Sequence, residues 1–538
     1  MSGLEAVRRS VDGWLTRRRA VVASVASFTA VAVIAATPGS PYHPVLPDDY
    51  SDGPLNLLAR ALFLDHLPHG LLIAIGFVAM VMAGVAFLIV LYACEQRIVP
   101  LRTVVVMTLS YAVAILLLPL LLSRDVYSYA YYGRIISEYR GNPFVETPAN
   151  YPANDLAKLL SFMWRDTPSV YGSVFVWMAA AITAMFHSLT QDVVVFRAIA
   201  VGATLGTVWF VYRIMQIIRP DRTTYAIAFI GLNPIVWFHT AGGGHVDALV
   251  MLSVAAAIYL LATHRELPAT AVLTLGALVK VSAAVPLILL IVYVVARTDR
   301  NRRGRVLAAH LGLSIGIAAA ASLPFMQSAN PTLGMVQLVQ HASWIAPPEL
   351  LERLFQGAGE LIAGHPGGVV GIVIARIGMY GALAAGLVLI ARQVGRRAKG
   401  ADLHYLGAAW GWSLLVMMLF SPTLFPWYFC WVLPVAWALP LVPRRTLEIA
   451  FLALCTSQLT TENFQLPSWM HINLPIGHPV LVVLLVWFLR DLWRHLRDDV
   501  PLDREIPSTT DVVVLRDLDQ GDAGIGGSGA SSAGGAAG

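Results

Sequence analysis

The sequence predicts an all-α polytopic membrane protein, a bundle of about 13–14 transmembrane helices whose extracytoplasmic loops carry juxtamembrane helices. Hydrophobic residues make up 57% of the chain and charged residues only 13%, against roughly 25% charged in ordinary soluble domains. Mean hydropathy is +0.67, and apolar runs close to the ~20-residue spanning length recur from end to end. The net charge of +5 over 538 residues reflects basic loops flanking apolar runs and implies no nucleic-acid partner. Cys94, Cys430 and Cys455 lie far apart and form neither a disulfide framework nor a zinc motif.

Taken in order, the candidate spans are 20–36, 70–93, 103–122, 193–217, 224–240, 247–263, 268–280, 282–297, 306–325, 368–391, 404–420, 426–442, 446–461 and 474–489. The run Ala20–Ala36 follows Arg17-Arg18-Arg19 as a signal peptide would. Further apolar runs follow it in place of a soluble protein, so it reads as a signal anchor. The pair 268–280 and 282–297 is short for two ordinary spans and reads as a helical hairpin or a broken helix. Gly172–Leu189 is also apolar, and the positive-inside rule decides its treatment. If it crosses, the cluster Arg213/Arg219/Arg222 and the segments after it change sides. If it is juxtamembrane or re-entrant, all seven clusters fall in the cytoplasm: Arg8–Arg19, Arg97/Arg102, Arg213–Arg222, Arg300–Arg305, Arg392–Lys399, Arg444/Arg445 and Arg490–Arg497. Backbone of that kind is tolerated where protein covers it.

The expected organisation is a cytoplasmic N-terminus at 1–19, a membrane domain at 20–490 and a cytoplasmic tail at 491–538. The outer segments are then 37–69, 123–171, 326–367 and 462–473. From Gly521 onward the tail is Gly/Ala/Ser-rich and is expected to be disordered, since it has too little apolar surface to bury.

On this topology four separate stretches deliver polar groups to one face. Arg124 and Asp125 open the 123–171 loop, and Gly242-Gly243-Gly244-His245-Val246-Asp247 forms an outer turn. Lys280 sits at the tip of the short hairpin, and Phe425-Pro426-Trp427-Tyr428 marks another outer turn. Ionisable groups at membrane depth are expensive and read as functional by default. Read as a helix, the stretch after Asp125 puts Tyr129, Tyr132 and Ile136 on the face of the acid, an arrangement that also fits an interfacial aromatic belt. Arg124 also fits a partner of lipid phosphate, and Lys280 lies among Leu278, Val279 and Val281. His245 and Asp247 lack a third ligand for a metal pair and also suit helix capping.

Arg124-Asp125-Val126-Tyr127-Ser128-Tyr129, Tyr132-Gly133-Arg134, Gly141-Asn142-Pro143-Phe144 and Trp164-Arg165-Asp166-Thr167-Pro168-Ser169-Val170-Tyr171-Gly172 resemble the first outer loop of GT-C glycosyltransferases. The order of Gly244-His245-Val246-Asp247-Ala248-Leu249, Ala277-Leu278-Val279-Lys280 and Phe425-Pro426-Trp427-Tyr428 resembles later elements of the same fold. The nearest likeness is to the polyprenyl-phosphate-mannose-dependent α-1,6-mannosyltransferases that build lipomannan and lipoarabinomannan in actinobacteria. It covers roughly residues 100–490. The chain departs from the family pattern at Val246, where Asn is usual before the aspartate, and at Ser173, where Pro is usual after Tyr-Gly.

The resemblance implies a GT-C-like bundle in a bacterial cell membrane. It implies transfer of a sugar, mannose first, from polyprenyl phosphate to a glycan or glycolipid hydroxyl on the outer face, with inversion. Asp125 would be the general base, and Lys280, Arg124 and His245 would answer the charge of the departing phosphate. Tyr129, Tyr132, Trp164 and Trp427 would stack on sugars or line the prenyl groove, and Arg134, Asp166, Asp247 and Tyr428 complete the substrate-binding set. No nucleotide fingerprint is present, and no cofactor is expected. Asp125, Asp166 and Asp247 offer oxygen atoms to a divalent metal, but their spacing demonstrates no coordination. A lipid-linked-sugar flippase is the competing class; it favours internal repeats and mid-membrane sites, which the sequence does not display. Arabinofuranose or glucose as the transferred sugar stays open.

Overall fold

The computed structural model describes residues 15–44, 62, 66–151, 156–326, 347–421, 424–457 and 474–504. The expected loop residues 327–346, most of 37–69 and 462–473, and the tail from 505 lie outside them. Among the described residues the chain is helical and contains no strand. The helices, in order, are α1 (Arg17–Ala36), α2 (His69–Glu95), α3 (Leu101–Leu117), α4 (Asp125–Ser137), α5 (Ser173–Met185), α6 (Leu189–Ile218), α7 (Thr223–Gly231), α8 (Asp247–Ala262), α9 (Glu266–Ala277), α10 (Ala284–Arg297) and α11 (Arg303–Ser322). They continue with α12 (Pro347–Arg397), α13 (Leu403–Leu419), α14 (Leu441–Ser457) and α15 (Leu474–Arg497). Five of these segments are long and apolar enough to cross a membrane, and others are apolar but shorter.

The two ends of the bundle differ in charge. At one end Arg444 and Arg445 both pair with Glu95, Arg97 lies 4.0 Å from Asp221, and Arg397 lies 3.1 Å from Asp499. These are the basic clusters that the positive-inside rule assigns to the cytoplasm. Asp125, His245, Asp247 and Lys280 meet away from these pairs, at the start of α4, the start of α8 and the tip between α9 and α10. Helix α5 stays at that second end. The N–H groups of Gly172 and Val174 donate to the carbonyls of Val279 and Leu278 beside Lys280, and the Trp177 indole donates to Ala321 at the far end of α11 from Arg303. Its 13 residues extend ~20 Å at the helical rise, short of the ~30 Å hydrocarbon layer.

Three expected spans take a different form. The run 224–240 breaks after α7, because Pro234 supplies no N–H and its ring crowds the preceding turn. Asn233 heals the break: its side chain accepts from the Ile235 N–H at 2.9 Å and donates to the Phe229 carbonyl at 3.3 Å. A π-helical segment, Ile235–Ala241, follows. The run 426–442 is not an α-helix but two 3₁₀ turns, Pro426–Trp431 and Leu433–Ala438, with α14 beginning at Leu441. Pro426, Pro434 and Pro440 remove donors that an α-helix would need. All of this irregular backbone is buried, which makes it admissible at membrane depth.

The third departure is α12. Its backbone leaves helical values at Ala363 and at Gly364, whose φ is +63°. The Arg376 guanidinium donates at 3.0 Å to both carboxylate oxygens of Glu352, 24 positions away. A straight helix would separate them by ~36 Å, so the chain doubles back at Gly364. The outer segment expected at 326–367 therefore ends in the first arm of a helical hairpin.

Small residues set the closest helix contacts, as expected where lipid gives no hydrophobic drive for helix association. Gly133 of α4 faces the Ala179 carbonyl and the Thr183 hydroxyl of α5 so closely that a Cβ would collide with both. Ser137 and Thr183 share a hydrogen bond one turn further on, at 2.9 Å. Gly133→Val should pry α4 from α5 and lower stability by about 1–3 kcal/mol, read as a lower melting midpoint of the detergent-solubilised protein.

Candidate active site

The acid loop is built from the end of α3. Pro119 stops that helix, and its last carbonyls find a partner in Arg197 of α6, a buried arginine that donates to Leu118 at 2.6 Å and to Ile115. Capping by a distant guanidinium satisfies orphan carbonyls that no water reaches. The chain then turns through Leu122 at φ +60°. The Leu121 N–H donates to Gly242 at 3.2 Å and the Leu122 N–H to Tyr42 at 2.8 Å. Asp125 thereby begins α4 beside the glycine turn, its N–H donating to the Ser123 hydroxyl at 3.1 Å.

The glycine turn folds the His245 ring back over its own backbone. A Cβ at Gly243 would meet that ring and the His239 carbonyl, and Gly244 adopts φ +69°, which side chains rarely tolerate. The His245 ring stacks on Trp427 at 3.7 Å between centroids, and Trp427 stacks on Phe425 at 4.6 Å. Nδ1 of His245 lies 3.5 Å from Oδ2 of Asp125 and 3.4 Å from the Tyr129 hydroxyl. Tyr171 donates to Tyr129 at 3.3 Å.

Burial raises the Asp125 carboxyl to about 6, an effect that Lys280 and hydrogen bonds from Ser123 and Trp164 restrain and that Asp247 reinforces. Burial also drives His245 well below its ordinary range, with Lys280 and His239 adding to the shift. His245 is therefore neutral near pH 7 and works as a hydrogen-bonding ring.

Lys280 and Asp247 form the second half of the cluster. Nζ of Lys280 donates to Oδ1 of Asp247 at 2.7 Å, with side chains 13% and 0% exposed. The Trp431 indole donates to the same oxygen at 2.8 Å, and the Cys430 thiol to the Asp247 carbonyl at 3.3 Å. The ammonium lies 4.1 Å from the centre of the Tyr428 ring, 5.2 Å from Trp431 and 5.8 Å from Tyr171. In a 3₁₀ turn residues i and i+3 eclipse, so Tyr428 and Trp431 stack at 4.5 Å on one face over the lysine.

Asp125, His245, Asp247, Lys280, Tyr129, Trp164, Trp427 and Tyr428 are thus brought together. Arg124 flanks them, half-buried at the start of α4. Three further expected substrate contacts have the following surroundings. Arg134 is held by Asp192 at 3.1 Å and by Glu138 at 3.6 Å, which ties α4 to α6. Tyr132 is fully buried and donates to the Thr167 carbonyl at 2.9 Å, which pins the loop. Asp166 is exposed. Among the described residues no three His, Cys, Asp or Glu side chains are grouped to hold a metal, so Asp125, Asp166 and Asp247 do not form a cage. Tyr171, Trp431, Ser123 and Arg197 join the site or its frame without having been singled out. For Trp431 a signal existed: the prolines around it suggest a three-residue repeat that puts it beside Tyr428.

A bundle that is all-helical among the described residues, with apolar helices long enough to span, defines a polytopic membrane protein. Residues 16–297, just over half of the sequence, match the family described as "Alpha-(1->6)-mannopyranosyltransferase, N-terminal domain", and the chain belongs to that family. It is 28% identical over 395 residues to alpha-(1->6)-mannopyranosyltransferase A of Mycobacterium tuberculosis, covering 68% of this chain and 72% of the relative. Similarity to a probable alpha-(1->6)-mannopyranosyltransferase of Mycolicibacterium smegmatis is 26% over 447 residues, 74% and 77% of the two chains. The Corynebacterium glutamicum alpha-(1->6)-mannopyranosyltransferase A is 29% identical over 170 residues, 31% and 34% of the two. No solved structure matches. The protein is a multi-pass membrane glycosyltransferase of the mannosyltransferase class.

Removing one partner of a buried ion pair leaves the other charge stranded. Lys280→Met should lower stability by about 3–5 kcal/mol, and adding Asp247→Asn should recover most of that loss. Unfolding of the single and double variants in detergent measures both.

Proposed function

We propose that this protein transfers mannose from polyprenyl phosphate to a hydroxyl of an acceptor glycan or glycolipid, on the extracytoplasmic face and with inversion. The observation that carries the reading is Asp125, a carboxylate at the start of a helix, raised to about 6 by burial and still 14% exposed. A base with a pKa near the working pH is close to optimal for taking a proton in the transition state.

In this mechanism the acceptor hydroxyl gives its proton to Asp125 as its oxygen attacks the anomeric carbon. The bond from that carbon to the phosphate oxygen breaks, and polyprenyl phosphate leaves with the electron pair. Neutral His245, whose Nδ1 lies 3.5 Å from Oδ2 of Asp125, borders the carboxylate on the side away from the acceptor. Lys280 has three N–H donors, of which Asp247 takes one, and with Arg124 it supplies positive charge for the departing phosphate. Asp247 is fully buried and paired through Oδ1 with Lys280 and Trp431, an arrangement that favours a single displacement over a second carboxylate acting as nucleophile. Inversion that yields an α linkage requires a β-linked donor. The names of the relatives support mannose and the 1→6 linkage, and the basic clusters at the opposite end of the bundle support the outward orientation.

Asp125→Asn should reduce transfer from radiolabelled polyprenyl-phosphate mannose to a short mannoside by about 10²–10⁴-fold, with protein level and melting midpoint retained. Full activity in that variant would overturn the assignment of the base. The base works ionised, so kcat/KM should be flat above pH 6–7 and fall about tenfold per unit below about pH 6. A rate that rises on acidification would contradict this reading.

A further inference from the structure

Helices α1 and α3 leave a groove of about 620 Å³ between them, away from the active site, with Arg17, Arg102 and Thr103 at one end and Val25, Phe28 and Val106 along it. The end carrying the arginines is the basic end of the bundle. The Arg17 guanidinium donates to the Thr103 hydroxyl at 2.8 Å across the mouth. Among the described residues no carboxylate pairs with Arg17 or Arg102, although Glu95, Asp221 and Glu448 take up the arginines of neighbouring loops. Both arginines are exposed, and so are Val25 and Val106, at 39% and 56%. The floor is closed by Phe28 stacked face to face on Tyr111 at 3.8 Å, and Tyr111 shares a 2.9 Å hydrogen bond with Ser24.

We propose that this groove is a binding site for an anionic phospholipid of the cytoplasmic leaflet. Its phosphate would lie between Arg17 and Arg102, and one acyl chain along Val25, Phe28 and Val106. Charge complementarity selects this occupant. Two cationic side chains with no acidic partner among the described residues face the headgroup level, and an apolar channel with exposed valines continues below them into the hydrocarbon. Basic pockets between transmembrane helices on the cytoplasmic side bind acidic headgroups, at about 1 kcal/mol for each Lys or Arg near the surface. A neutral lipid meets the same channel without the charge, and a free phosphate meets the charge without the channel. The floor also leads inward: Phe28 packs at 4.8 Å on Phe238, which belongs to the π-helical segment that delivers His245.

Native mass spectrometry and thermal-shift titration of the purified full chain with phosphatidylglycerol test the proposal, with phosphatidylcholine and inorganic phosphate as separate arms. One phosphatidylglycerol should stay bound and raise the melting midpoint, while the other two arms should not. Arg17→Gln with Arg102→Gln should weaken phosphatidylglycerol binding about thirtyfold, the equivalent of about 1 kcal/mol for each of the two charges. Val106→Trp keeps both charges, fills the channel from an exposed position, and should lose the bound lipid too. The proposal is overturned if phosphatidylcholine stabilises equally, if inorganic phosphate alone reproduces the shift, or if lipid retention is unchanged in a variant that still melts as a folded protein.

Discussion

The ion pair between Lys280 and Asp247 is the contact on which the rest of the site depends. It joins the tip between α9 and α10 to the first residue of α8, and through Trp431 and Cys430 it fastens the 3₁₀ segment to both. Two charges at this depth persist only because each answers the other and the remaining donors are placed around them. Lys280 also lies against Tyr171, so the acid loop is held by the same ammonium. Four stretches of chain, spread between Tyr171 and Trp431, are therefore aligned by one neutralised pair.

That neutralisation shapes what the other groups do. With Lys280 balanced by Asp247 and His245 uncharged, Asp125 is the carboxylate whose proton affinity burial has moved toward neutrality. The lysine remains close enough to keep it from rising further. The Tyr171–Tyr129–His245 chain of hydrogen bonds connects the two halves, so a change in either is felt as a change in polarity at the other. Rigidity comes from the ring stack of His245, Trp427 and Phe425, which leaves the imidazole little freedom to turn.

Much of this was legible in the sequence. Loop charges marked one end of the bundle as basic, and polar residues at apolar depth named Asp125, His245, Asp247, Lys280 and Trp427 as neighbours. Hydropathy could not reveal the form of the backbone between them, because a broken helix, a π-helical segment and 3₁₀ turns are as apolar as a regular span. The prolines at 234, 426 and 434 were the available sign. Partners fixed by tertiary contact were equally hidden. Arg134 looked like a substrate cation because nothing nearby in sequence shows that Asp192 will meet it, and Tyr132 looked like a platform until Thr167 closed over it. The hairpin at Gly364 was hidden because its first arm falls in the stretch read as the outer segment 326–367, and its reversal rests on one glycine and on the distant pair Glu352–Arg376.

The irregular segments have a consequence for how the molecule is made. A regular apolar helix satisfies its own backbone and can enter the bilayer alone, whereas non-helical backbone at that depth needs protein around it. The stretches 235–246 and 424–439 fall in the second category, and they carry His245, Trp427, Tyr428 and Trp431. Assembly is thus ordered: the straight helices insert first, and the catalytic geometry appears only when the bundle has closed around these two segments. Competence for chemistry is the last property this chain acquires, and a bundle missing any neighbouring helix would sit in the membrane without it.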